Sequence, residues 1–230
     1  TQGLPTLAEA SRGSEYSQGG LSASSITPWG IYGFNASWTH YRIGQVTYPY
    51  FPTGNVFTWS VTGNQLAYAS QATRISVNES YNHVANHVRI GKELVPGGIL
   101  LTDQSYSYFG VGVQANHSYR IFGAPGSVSA GITYNQGFNG SHGTLYNNVP
   151  GQPAARFHYF DANVAFVQNL MKGYSVSLTA SGQGAFNTLP SQQQWVLGGF
   201  GNLSAYYPAV LVGDSGISRD GKLAATYLRR

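Results

Sequence analysis

The chain has 230 residues, of which 9% are charged, with a net charge of +4 and a mean hydropathy of -0.18. Soluble domains carry about 25% charged residues, so polarity here rests on Ser, Thr, Asn, Gln and 30 Gly rather than on ions. The absence of Cys excludes disulfides and thiolate metal sites, and scattered cations, with only Arg229 and Arg230 adjoining, argue against nucleic-acid binding.

Residues 1–12 lack the basic start and apolar core of a signal peptide. A weak strand is predicted over 17–26, then a tight turn at Thr27-Pro28-Trp29-Gly30. Residues 32–39 alternate, with Tyr32, Phe34, Ala36 and Trp38 on one face and Gly33, Asn35, Ser37 and Thr39 on the other. A long connection at 44–56 leads to weaker strands at 57–69 and 73–90, joined by Ser70-Gln71-Ala72. Glu79 interrupts the apolar face of the second of these and leaves its register open.

After a long connection at 91–103, residues 109–116 set Phe109, Val111, Val113 and Ala115 against Gly110, Gly112, Gln114 and Asn116. A turn at Gly123-Ala124-Pro125-Gly126 follows. Next, Val128, Ala130, Ile132 and Tyr134 oppose Ser127, Ser129, Gly131, Thr133 and Asn135. Beyond a long connection at 140–155, Phe160, Ala162, Val164 and Phe166 oppose Asp161, Asn163 and Ala165. Met171-Lys172-Gly173 turns the chain into the clearest strand, 174–183. There Tyr174, Val176, Leu178 and Ala180 oppose Ser175, Ser177, Thr179, Ser181 and Gln183. A last long connection, 186–217, precedes a weak strand at 218–229.

About nine strands result, with no helical apolar stripe and no run of about 20 apolar residues for a transmembrane helix. Short and long connections alternate strictly, which is the loop pattern of an outer-membrane barrel. Trp29, Tyr32, Tyr41, Tyr134 and Tyr174 are candidates for an interfacial aromatic girdle. The expected fold is all-β, an antiparallel transmembrane β-barrel whose apolar face meets lipid and whose polar face meets a lumen. Asn35, Ser37, Asn116, Thr133, Ser177, Thr179 and Gln183 are the expected lumen-lining residues. A soluble sandwich would alternate as well, but with its apolar face packed inside.

Chemistry is hard to find. His83 and His87 have i, i+4 spacing, but in a strand they lie about 13 Å apart, so they read as ordinary rim or lumen residues. His40, His117, His142 and His158 form no motif, and no acid sits beside a nucleophile signature. Gly198-Gly199-Phe200-Gly201 lacks the Lys-Ser/Thr of a phosphate loop. Asn-X-Ser/Thr triplets at Asn35, Asn78, Asn116, Asn139 and Asn202 fit chance at this composition. No enzyme activity, metal or cofactor is expected.

The connection 186–217 is distinctive. It carries Leu189-Pro190-Ser191, then Gly198-Gly199, the four residues Leu203-Ser204-Ala205-Tyr206, and Gly213-Asp214-Ser215-Gly216 before the last strand. This pattern resembles the two-partner secretion transporters, also called haemolysin secretion/activation proteins. The resemblance implies a sixteen-stranded barrel in a Gram-negative outer membrane, exporting a secreted passenger protein. It makes 186–217 the long sixth extracellular loop, which folds back as a lid bearing a Val-Arg-Gly-Tyr-like motif. Leu203-Ser204-Ala205-Tyr206 keeps the aromatic and lacks the Arg and Gly, so the family's inward charge pair cannot form in this chain. Glycines 198, 199, 213 and 216 read equally well as positive-φ turn positions, and Asp214 as a turn initiator.

An odd strand count, no signal peptide and an end inside an apparent strand suggest that residues 1–230 are one barrel segment. By the resemblance it holds the middle strands, without the N-terminal periplasmic domains or the closing strands. The expected partners are the passenger protein, outer-membrane lipid and those periplasmic domains. The alternative is a general porin or solute channel. A soluble carbohydrate-binding β protein and a barrel-embedded hydrolase are more distant readings.

Overall fold

The computed structural model of the chain describes residues 15–42, 52–90, 96, 98–141, 152–154, 156–170, 173–197 and 211–225. Eight long strands follow in order: β1 (Glu15–Thr27), β2 (Gly30–Arg42), β3 (Thr53–Ala69), β4 (Thr73–Ile90), β5 (Ile99–Ile121), β6 (Ala124–Ser141), β7 (His158–Asn169) and β8 (Tyr174–Ala185). Two short strands, β9 (Trp195–Leu197) and β10 (Leu211–Gly213), precede β11 (Gly216–Ala225). The nine long strands form one antiparallel sheet in the order β1-β2-β3-β4-β5-β6-β7-β8-β11, while β9 and β10 pair separately. Among the described residues the sheet is an open barrel wall, since β1 and β11 are not hydrogen-bonded neighbours.

Turn chemistry sets the hairpins. Thr27 Oγ1 donates to Gly30 O at 2.9 Å and accepts from Trp29 N at 3.3 Å, tying the two-residue turn between β1 and β2. The turn between β5 and β6 is Phe122-Gly123, with φ of 50° and 79°. Both values are positive, as a type I′ hairpin requires. This corrects the expected turn at 123–126: Ala124, Pro125 and Gly126 already belong to β6.

Register assigns the faces. One row of partners runs Phe34–Val61–Tyr81–Phe109, and another runs Ile132–Ala162. All of these residues share the outer face. Phe34 is 40% exposed, Val111 48%, Ile132 52% and Leu178 51%. The greasy side chains of the wall therefore face outward and do not pack into a closed interior, which disposes of the sandwich.

The register also places residues whose position is ambiguous in the sequence. Glu79 pairs with Gly63 and Val111 on the outer face, and its carboxylate lies over Gly63. Gln65 Nε2 donates to it at 2.9 Å and to Tyr32 Oη at 3.1 Å. Tyr41 leaves the expected girdle. It pairs with Gly54 on the inner face, where the absent Cβ makes room for its ring. Its odd number already sets it opposite Tyr32 and Trp38.

β5 is far longer than the expected 109–116, at 23 residues against 12 each for β7 and β8. Its upper half escapes the alternation because Tyr106 and Tyr108 turn aromatics inward while Ser105 and Ser107 face outward. The buried core, Val84, Tyr106, Phe157, Tyr159 and Leu189, lies on the inner face beneath the start of the long connection.

Candidate functional site

The inner face is a hydroxyl- and amide-bearing wall. Asn35 pairs with Ser60, which pairs with Asn82; Ser37 pairs with Thr58, and their hydroxyls meet at 2.7 Å. Thr133 pairs with Asp161, which pairs with Gln183. Asn116 connects through Ser129 and Ala165 to Thr179, and Ser177 pairs with Val167. Asn35, Ser37, Asn116, Thr133, Ser177, Thr179 and Gln183 thus share one face across seven strands. The wall is concave: Ser22 and Ser24 of β1 and Thr133 of β6 line one hollow of about 570 Å³, together with Asn35, Thr62 and Asn78.

The long connection folds onto this wall. Leu189 and Pro190 are fully buried, and Leu189 packs with Val84, Tyr106, Phe157 and Tyr159. The rings of Tyr106 and Phe157 meet edge-on at 5.5 Å between centroids. Phe157 reaches over Gly137, whose missing Cβ leaves the space its ring fills. Ala154 N donates to Thr188 O at 2.8 Å and Gly137 N to Phe157 O at 2.7 Å, so two connections share the site.

A single 3-10 turn, Ser191–Gln193, then points polar groups at the wall. Tyr159 Oη donates to Gln193 Oε1 at 2.7 Å, and Gln193 Nε2 donates to Tyr106 Oη at 3.3 Å. Gln183 Nε2 donates to Gln193 O at 2.9 Å and to Asp214 O at 3.0 Å. Gln192 and Gln193 face Asn35, Ser37 and Asn82 across a gap of about 270 Å³. The loop root and the polar residues of β2 through β4 therefore occupy the same side of the sheet.

The returning limb closes against the outgoing one. β9 and β10 pair from Trp195–Gly213 to Leu197–Leu211. Asp214 Oδ1 accepts Leu189 N at 2.8 Å and Gln194 Nε2 at 3.4 Å, and Ser215 Oγ accepts Ala185 N at 2.9 Å. Gly213 and Gly216 are absent from the positive-φ glycines among the described residues, which are Gly30, Gly98, Gly123 and Gly173. Gly216 serves close approach instead: a Cβ there would overlap the indole of Trp195. Gly198, Gly199 and Leu203-Ser204-Ala205-Tyr206 lie outside the described residues.

Tyr106, Phe157, Tyr159, Gln193 and Trp195 escape a reading of the sequence alone. Phe157 and Tyr159 fall between an expected loop and an expected strand, and Gln193 sits in an undifferentiated Gln192-Gln193-Gln194 run. The histidines have ordinary partners. His83 Nδ1 meets Ser107 Oγ at 3.0 Å, His87 Nδ1 meets Asp103 Oδ1 at 2.8 Å, and His40 Nδ1 meets Asn55 Oδ1 at 2.7 Å. His117 Nδ1 meets Thr73 Oγ1 at 2.8 Å, and His158 stacks on Phe186. His142 lies outside the described residues.

Apolar residues outward, amides and hydroxyls inward, and a loop that returns to the inner face before the last strand define the wall of an outer-membrane β-barrel. The profile of the haemolysin secretion/activation proteins ShlB/FhaC/HecB matches residues 8–226. The chain belongs to that family, a transporter family of the Gram-negative outer membrane. Two solved structures share the fold. CdiB from Escherichia coli superposes with a TM-score of 0.78 at 14% identity, over 94% of this chain and 39% of that one. CdiB from Acinetobacter baumannii gives 0.73 at 18% identity, over 93% of this chain and 37% of that one. The chain thus spans about two fifths of the length of these neighbours. No curated protein sequence matches it.

Proposed function

We propose that this chain forms part of the pore wall of an outer-membrane translocator that exports a partner protein in an unfolded state. The observation that carries the reading is the inner wall itself. From Asn35 and Ser37 through Asn116 and Thr133 to Ser177, Thr179 and Gln183, it offers neutral hydrogen-bonding groups. Such groups exchange bonds with a passing backbone without the strong trapping that ion pairs impose. Residues 1–230 serve as one barrel segment, completed by further strands and by periplasmic domains of the same polypeptide that receive the passenger. Lipid covers the outer face. The root of the 186–217 connection narrows the lumen at rest and carries the segment Gly198 to Tyr206.

The test is export. Deleting the full-length parent gene should remove one large protein from the culture medium and strand it in the periplasm, and the intact gene should restore its release. Loss of small-solute uptake with an unchanged set of released proteins would replace this reading with a general porin.

A further inference from the structure

We infer that Gln193 is a neutral latch, a positioning residue that holds the loop root against the lumenal wall where this chain lacks an arginine to make an ionic lock. The inference rests on the translocator reading above. The segment Leu203-Ser204-Ala205-Tyr206 contains no cation. Among the described residues, the two inward-facing carboxylates of the wall are engaged elsewhere: Asn135 Nδ2 donates to Asp161 Oδ2 at 2.9 Å, and Lys222 Nζ pairs with Asp220 at 3.1 Å.

The contacts that hold Gln193 to the wall are hydrogen bonds between uncharged groups. Tyr159 Oη donates to Gln193 Oε1, and Gln193 Nε2 donates onward to Tyr106 Oη, a relay running one way through the amide. The main chain of the same residue is fixed at both ends: its N–H donates to Pro190 O at 2.8 Å, and its carbonyl accepts from Gln183 Nε2 at 2.9 Å. Tyr106 is fully buried and Tyr159 is 5% exposed, so water has little access to the relay. An amide suits this place because it both accepts and donates. A carboxylate could not donate to Tyr106, and an ammonium could not accept from Tyr159.

A neutral latch has a signature that an ionic lock lacks. Raising salt from about 0.1 M to about 1 M shortens the screening length from about 10 Å to about 3 Å and weakens exposed ion pairs. Hydrogen bonds between neutral groups are little affected.

The experiment uses the full-length parent in planar lipid bilayers, with folding checked by heat-modifiable migration. Gln193→Ala and the near-isosteric Gln193→Met should each raise the resting open probability several-fold, and Tyr159→Phe should raise it less. Ser25→Ala, on the outer face of β1 and away from the root, should leave it unchanged. The open probability of the wild type should not move across the salt range. Should both Gln193 variants gate like a conducting wild type, the latch is wrong while the translocator stands. The latch is equally wrong if salt alone opens the wild type. A folded parent that carries no current removes the translocator reading and the latch together.

Discussion

Asp214 Oδ1 accepts the backbone N–H of Leu189 at 2.8 Å across 25 residues of chain. One carboxylate thereby joins the outgoing and returning limbs of the long connection, and Gln194 Nε2 supplements it at 3.4 Å. Asp214→Ala should lower the stability of the protein by about 1–3 kcal/mol, the cost of leaving the buried Leu189 N–H without its acceptor. Asp214→Asn keeps an acceptor and should cost less. Urea unfolding in lipid vesicles measures both, and equal losses would show that charge, not the acceptor, holds the limbs.

Gly216→Ala should be destabilising although alanine is the better strand former. Its methyl would enter the space of the Trp195 indole, an overpacking that costs about 1–3 kcal/mol. Adding Trp195→Leu should recover part of the loss. Unfolding midpoints of the single and double variants decide the matter, and strictly additive losses would refute the contact.

Neighbouring residues on β6 test the two faces. Ile132→Arg puts a cation on the outer wall and should cost about 2–4 kcal/mol if it sits near the bilayer midplane. Thr133→Arg, one residue on and facing the hollow, should leave unfolding nearly unchanged and reduce cation current. Reversed effects would mean that the sheet is inside out.

Phe122 holds φ at 50° in the β5–β6 turn and is 89% exposed. A bulky residue in this region costs about 1–2 kcal/mol. Phe122→Asn, which creates the Asn-Gly favoured by type I′ turns, should raise stability by about 1 kcal/mol. Refolding yield and urea midpoint report it, and a loss would mean that the ring anchors the turn at the interface.

The wall is legible in the sequence wherever one rule governs a strand. In 174–183 the outer residues are apolar and the inner ones hydroxyl-bearing without exception until Gly182, so period-two alternation suffices to place Leu178 and Thr179. The rule fails where the lumen itself holds a core. At Tyr106 and Tyr108 the inner face becomes aromatic to receive Leu189, and at Ser107 the outer face becomes polar to meet His83. Local pattern cannot report a partner as distant in the chain as Leu189 is from Tyr106, so the upper half of β5 looks like loop. The latch is hidden for the same reason. Gln193 differs from Gln192 and Gln194 only in pointing at Tyr159 and Tyr106.

The unequal strands have a consequence for the height of the wall. β5 runs eleven residues longer than β7 and β8, about 36 Å more along the strand. The β5–β6 and β7–β8 turns stand at nearly one level in the ladder, so the opposite rim drops from Ile99 on β5 to Ala185 on β8. The connection after Ala185 bends inward at that low sill instead of climbing. Along the strand direction the wall is therefore deepest at β5 and shallowest where the connection leaves β8, and the inward bend begins at its shallowest point.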